Sequence, residues 1–178
     1  MAMTVQGSDR IPDEALPVAQ LAARMRLADG YEAIPGEGDR LRLLLAAAIA
    51  TVERRSGRVT IARDVTVAGE RGEGRRIALP VAPVQMLRVI EMAGEGGPVT
   101  VGGALDTQGG IVLSDGVRQG VPLRIVVRAG YGDWEMVPGE LRQAVLMLAE
   151  ALDTGEPVGA AVDALIAPFR NVRIGGRR

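Results

Sequence analysis

The spacing of apolar residues changes twice along this chain. It is helical up to residue 57, alternates every second residue from Arg58 to Ala129, and is helical again after Val137. A 3.6-residue period puts one stripe of a helix against a core, and a two-residue period puts one face of a strand there. The order is therefore helix, helix, strands, helix, helix. This predicts an α+β fold: a helical bundle formed by the N- and C-terminal helices, with a central antiparallel β lobe projecting from it.

The segments can be read individually. Residues 14–29 form a first helix, with Pro17 in its first turn, Val18, Leu21, Ala22 and Met25 on one face, and Gly30 as its stop. Asp39 caps a stronger helix whose face is Leu41, Leu44, Leu45, Ala48 and Val52 and which ends at Gly57. Val59/Ile61, Val65/Val67, Arg75–Leu79, Met86–Met92, Val99/Val101, Ile111–Leu113 and Leu123–Ala129 then read as roughly six or seven short strands. In the last of these, Leu123, Ile125 and Val127 point one way, and Arg124, Val126 and Arg128 the other. The glycine-rich stretches GERGEGRR (69–76), GEGG (94–97) and DTQGG (106–110) are expected to be hairpin loops. None ends in the GK[ST] of a phosphate-binding loop.

Pro138 and Glu140 open the next helix, which carries Leu141, Ala144, Val145, Leu148 and Leu152 on one side. Met147 and Ala151 widen that stripe beyond what a surface helix needs, and Gly155 ends it. A last helix, 159–167, carries Val162, Leu165 and Ile166, with Phe169 continuing the stripe past Pro168. The expected division is 1–57 for the N-terminal helices, 58–130 for the β lobe, 131–158 for the C-terminal bundle helix and 159–178 for a C-terminal arm.

Composition narrows the chemistry. The chain has no cysteine and no histidine, and all 21 of its basic residues are arginine. Disulfides, thiolates, imidazole catalysis, lysine Schiff bases and nearly every transition-metal site are thereby excluded. The carboxylate pairs Asp13/Glu14, Asp133/Glu135 and Asp153/Glu156 stand beside no second catalytic group in a recognisable spacing. No catalytic residue, metal site or cofactor is expected, and the enzyme reading, a small hydrolase, rests on the Asp133/Glu135 loop alone. The net charge of −1 gives no overall attraction to nucleic acid or membrane. The only aromatic residues are Tyr31, Tyr131, Trp134 and Phe169, too few for a base-stacking platform. Tyr131 and Trp134, between the last strand and the long helix, are expected either to close the junction of lobe and bundle or to anchor an interface. Residues 1–10 lack the features of a signal peptide, and no apolar run approaches the ~20 residues that span a bilayer. The chain reads as a protein made in the cytoplasm, with no membrane partner.

The ending, DALIAPFRNVRIGGRR, combines a greasy turn with arginines. Two readings stay open for it: a terminal helix docked on its own bundle, or an arm that binds another protein.

Three stretches together resemble one family. They are LPVAQLAARMRL with EGDRLRLLLAAAIATVERRSGR, where Glu53 precedes Ser56-Gly57-Arg58; VVRAGYGDWEMVPGELRQAVLMLAEAL; and VDALIAPFRNVRI. They resemble the head-tail connector (adaptor) proteins of long-tailed double-stranded-DNA phages and their counterparts in gene transfer agents, the phage-like particles of some alphaproteobacteria. The resemblance covers roughly half the chain. Between residues 59 and 122 it is architectural only, and Phe169 stands where the family often has tyrosine.

The resemblance implies a virion structural protein at the head-tail junction. It would form a homo-oligomeric ring, a dodecamer, beneath the portal protein, continue the channel for double-stranded DNA and meet a tail-proximal connector or stopper protein. It also implies that the C-terminal segment embraces the portal, through Val162, Leu165, Ile166, Phe169, Arg170, Val172 and Arg173. A ring closed head to tail needs two different patches per subunit. Two over-wide stripes offer candidates: 141–152, with Leu141, Val145, Met147, Leu148 and Leu152, and 162–169. The competing reading is a sequence-independent DNA-binding protein that uses the Arg124/Arg128 face and the Arg170–Arg178 tail.

Overall fold

A computed structural model of the protein describes residues 3–94 and 96–170. Its element order is β1 (Thr4–Ser8), α1 (Val18–Arg24), α2 (Glu37–Ser56), β2 (Arg63–Glu70), β3 (Arg76–Ile77), β4 (Val84–Gly94), β5 (Gly97–Thr100), β6 (Gly103–Leu105), β7 (Ile111–Leu113), β8 (Pro122–Ala129), α3 (Gly139–Thr154) and α4 (Gly159–Ile166). The fold is α+β, as the two periods predict. The chain divides into a sheet unit, Met1–Arg10 with Ala62–Gly130, and a helical unit, Ile11–Ile61 with Tyr131–Arg178.

In the sheet unit, five strands run in the order β1-β2-β8-β4-β5, and a second sheet has the order β3-β7-β6. Every pairing between these strands is antiparallel. The inward row of β8, Leu123, Ile125 and Val127, is buried together with Val65 and Val67 of β2, as the alternation requires. Gly103 of β6 lets the small sheet come close: a Cβ there would lie 2.5 Å from Cδ1 of Ile90. DTQGG is a hairpin turn joining Leu105 to Ile111, and β4 pairs with β5 as far as Gly94 and Gly97, on either side of the GEGG stretch.

Other local expectations are corrected. GERGEGRR is no hairpin, because β2 pairs with β1 and β8 while β3 pairs with β7 in the other sheet. The N-terminal strand β1 was not foreseen, and Thr4–Ser8 therefore belongs to the sheet unit. Val59 and Ile61 lie outside the strands, Ile61 making a single parallel bridge to Gly132.

The helical unit has an aliphatic core of Leu21, Leu41, Leu45, Ala48, Ile49, Val52, Leu141, Ala144, Val145, Val162 and Ile166, with Trp134 at 6% exposure. Helix α1 ends earlier than Gly30. Arg26 takes the left-handed conformation (φ 56°), and the Leu27 and Arg26 N–H groups donate back to the carbonyls of Ala22 and Ala23. This is the hydrogen-bond pattern of a Schellman cap, with arginine in the usual glycine position. Asp39 is not the cap of α2. Gly36 is, and Glu37 and Asp39 sit in the first turn, facing the positive end of the helix. Gly57 ends α2 and Gly155 ends α3, both left-handed. Pro168 does not break the last helix outward: Ala167–Phe169 continues α4 as a 3-10 turn, and Phe169 packs half-buried on the core.

Two leucines of α2 test this packing. Leu45 is fully buried and Leu43 is 72% exposed. Leu45→Ala should cost about 2–5 kcal/mol and Leu43→Ala no more than about 0.5 kcal/mol, read from denaturant midpoints of the isolated chain. Equal losses would contradict the assigned faces.

Candidate functional site

Among the described residues the buried polar side chains are Ser56 and Thr60, and the sequence-predicted site residues differ in their exposure. Helix α3 packs against α1, α2 and α4, and that explains the width of its apolar stripe. Leu141 and Val145, expected at a ring interface, are wholly buried within their own helical unit and have no surface to offer a second subunit. Met147 and Leu148 are half-buried, and Leu152 is 48% exposed.

The sequence reading overlooked a second apolar face on α2. Leu43, Ala46, Ala47 and Ala50 are all exposed and share one side of the helix by their spacing. No residue between Arg42 and Glu53 is charged. The middle of α2 is thus apolar all round, a pattern expected of a helix covered on every side. The missing charges were the available signal.

The C-terminal stripe divides in the same way. Val162 and Ile166 are fully buried in the helical core, Leu165 and Phe169 are half-buried, and Arg170 is exposed. Helix α4 therefore docks on its own unit. Val172 and Arg173 lie outside the described residues.

Trp134 is buried in the helical unit, with its indole N–H donating to Gln20 Oε1 at 2.8 Å, and so has little surface for another molecule. The Gln20 amide donates to Glu135 Oε1 at 2.9 Å, and Arg142 donates to Glu135 Oε2 at 2.7 Å. Asp153 pairs with Arg40. Arg40 also donates to Glu37 at 2.7 Å, and Glu37 accepts from the Tyr31 hydroxyl at 2.8 Å. Arg40, followed by Tyr31, holds the Glu37 carboxyl below its ordinary range. These carboxylates tie helices and turns together within the unit. Burial pushes the Tyr131 phenol up, against the opposing pull of Arg58. Among the described residues no cluster of three or more acidic side chains is arranged to hold a metal ion, and no helix is long and apolar enough to cross a membrane.

On the outward face of the sheet, Arg124 and Arg128 stand opposite acids on neighbouring strands. Arg124 pairs with Glu91 at 2.9 Å; Asp64 lies 3.8 Å from Arg128 and 3.3 Å from Arg88. Cross-strand pairs of this kind stabilise a sheet. They also leave the face nearly neutral, with Arg88, Arg124 and Arg128 set against Asp64 and Glu91. A face that grips phosphates by counterion release needs unbalanced cations.

No protein-family model and no curated protein matches this chain. Solved structures do. A chain in the virion of a native gene transfer agent particle is 30% identical, with 99% of each chain covered and a TM-score of 0.77. A chain in the neck of an empty gene transfer agent particle, computed with C6 symmetry, is 28% identical with full coverage of both and a TM-score of 0.77. A chain in the neck of the native particle, computed with C12 symmetry, is 28% identical over 98% of this chain and 99% of that one, with a TM-score of 0.75. Likeness over the whole length of both units, at this identity, defines the class: a structural protein of a phage-like particle. The chain belongs to the family of gene transfer agent neck proteins, which serves the head-tail region of the particle.

The pairing of Glu37 has a pH signature. Its carboxyl has a lower pKa folded than unfolded, so its contribution is present above the unfolded value of about 4.3 and is lost as pH falls through the folded one. Melting curves taken between about pH 5 and pH 3 should fall less steeply for Glu37→Gln than for the unaltered chain. Identical slopes would show that Glu37 does not titrate with unfolding.

Proposed function

We propose that this protein is a head-tail adaptor. Twelve copies form a ring below the portal protein, the ring continues the channel for double-stranded DNA, and its far side receives a tail-proximal connector or stopper. The observation that carries this reading is the full-length likeness to neck chains in structures computed with C6 and C12 symmetry. A twelvefold ring also obeys sixfold symmetry, so the two are consistent with one ring.

The physical chemistry supports the same reading. A closed head-to-tail ring requires two unlike patches on each copy, and the helical unit presents the Leu43/Ala46/Ala47/Ala50 face and the Met147/Leu148/Leu152 region. The ring interface is assigned to these, with Leu141 and Val145 acting from beneath as core. A conduit must let duplex slide, and a net charge of −1 with a self-neutralised arginine face avoids a strong hold on phosphate. Portal contact is assigned to the C-terminal segment: Val172 and Arg173 with the exposed parts of Leu165, Phe169 and Arg170. Val162 and Ile166 support it from the core.

Two experiments test these assignments. Because Ile166 is core, truncation must spare residues up to Arg170. A chain lacking residues 171–178 should melt like the full chain but fail to join portal rings in co-sedimentation, and retained co-sedimentation would refute the portal assignment. Leu43→Arg should preserve the monomer's melting curve and abolish ring formation in sedimentation velocity. Rings of normal size from that variant would remove α2 from the interface.

A further inference from the structure

Two motifs from opposite ends of the sequence, Glu53…Ser56-Gly57-Arg58 and Pro168-Phe169-Arg170, meet in the helical unit. Each residue of the first has a structural task. Glu53 Oε1 accepts from the Thr60 N–H and the Thr60 hydroxyl, both at 2.7 Å. The Ser56 hydroxyl donates to the Val52 carbonyl at 2.8 Å and accepts from the Arg58 N–H at 3.1 Å. Gly57, at φ 70°, closes the helix by donating its N–H to the Glu53 carbonyl at 2.8 Å. The turn after α2 is thus held at several points, and Arg58 projects from it.

Arg58 Nε donates to the backbone carbonyl of Phe169 at 2.9 Å, across 111 residues of sequence. That carbonyl belongs to the last residue of the 3-10 turn after α4, where helical carbonyls lack intrahelical donors, and a cation there also meets the negative end of the helix dipole. One turn back on α2, Arg55 lies 3.5 Å from Asp163, which accepts from Arg170 at 2.8 Å. The C-terminal end of α2 therefore clasps the end of α4 at a carboxylate and at a carbonyl. Asp163 and its partners are about half exposed, so those ion pairs contribute little. The Arg58 bond is part-buried and directional.

We propose that Arg58 is a positioning residue for the C-terminal segment. It fixes the backbone at Phe169 and Arg170, the point from which residues 171–178 continue, so that in every copy of a ring that segment starts from the same place. This rests on the portal reading above. Fixing that starting point removes part of the ordering cost of binding. The bond to a backbone carbonyl needs only a cationic donor at that place, so lysine should substitute in part.

The test uses full-length Arg58→Ala and Arg58→Lys, with the isolated portal ring of the same particle as probe. In Arg58→Ala, amide hydrogen exchange at residues 165–170 should rise about tenfold, with exchange elsewhere unchanged. Capture by portal should weaken by a similar factor, and Arg58→Lys should fall between. Unchanged exchange at 165–170 overturns the proposal. So does raised exchange with undiminished capture, provided removal of 171–178 abolishes capture. If that removal leaves capture intact, the portal reading is what fails, and exchange at 165–170 alone decides whether Arg58 holds the segment.

Discussion

Everything the helical unit does depends on the packing of α2 against α3. With no disulfide available and no large aromatic cluster, aliphatic interdigitation must hold together segments that the whole sheet separates in sequence. Leu41, Leu45, Ile49 and Val52 of α2 meet Leu141, Ala144 and Val145 of α3 in one buried cluster, and α4 closes over it through Val162 and Ile166. That contact consumes the inner stripe of each helix. What remains on their outer sides, Leu43 with its alanine neighbours and Leu152, is then free to serve a second molecule, because the subunit's own stability does not draw on it.

The alternation of periods made the architecture legible: helices from both ends of the sequence share one unit, and the strands between them form another. What stayed hidden has identifiable physical causes. Strand β1 carries one large apolar residue, Val5, and every position in it is exposed. It is held by backbone pairing to β2, which leaves no periodic trace. The end of α1 was misplaced because Arg26 adopts a conformation normally signalled by glycine. Periodicity alone does not divide the α3 stripe into Leu141 and Val145, which helical neighbours inside the unit bury, and Leu152, which stays exposed. The outer face of α2 is signalled only by the lack of charge between Arg42 and Glu53, beside an inner stripe that by itself accounts for a helix. The bond from Arg58 to Phe169 joins distant positions through a backbone atom, and no side-chain pattern encodes that.

The outward face of the sheet is paired within itself rather than poised to hold DNA. Glu91 and Asp64 face Arg124 and Arg128 in register, so the arginine row that looked basic in sequence is a set of cross-strand pairs. Arginine spent on intramolecular pairing steadies the sheet and lowers its grip on phosphate. Under the proposed adaptor role both effects are useful, a steady sheet and a weak hold on a passing polyanion.

The arrangement proposed for this chain is a ring that stacks on the portal. Electron microscopy of the full chain mixed with portal rings tests it most directly. The prediction is a closed ring of this chain, twelvefold like the symmetry imposed on the related native neck, lying coaxially on the portal with each copy's C-terminal segment on portal surface. Portal rings that carry no added layer, with this chain remaining monomeric in the background, would contradict it.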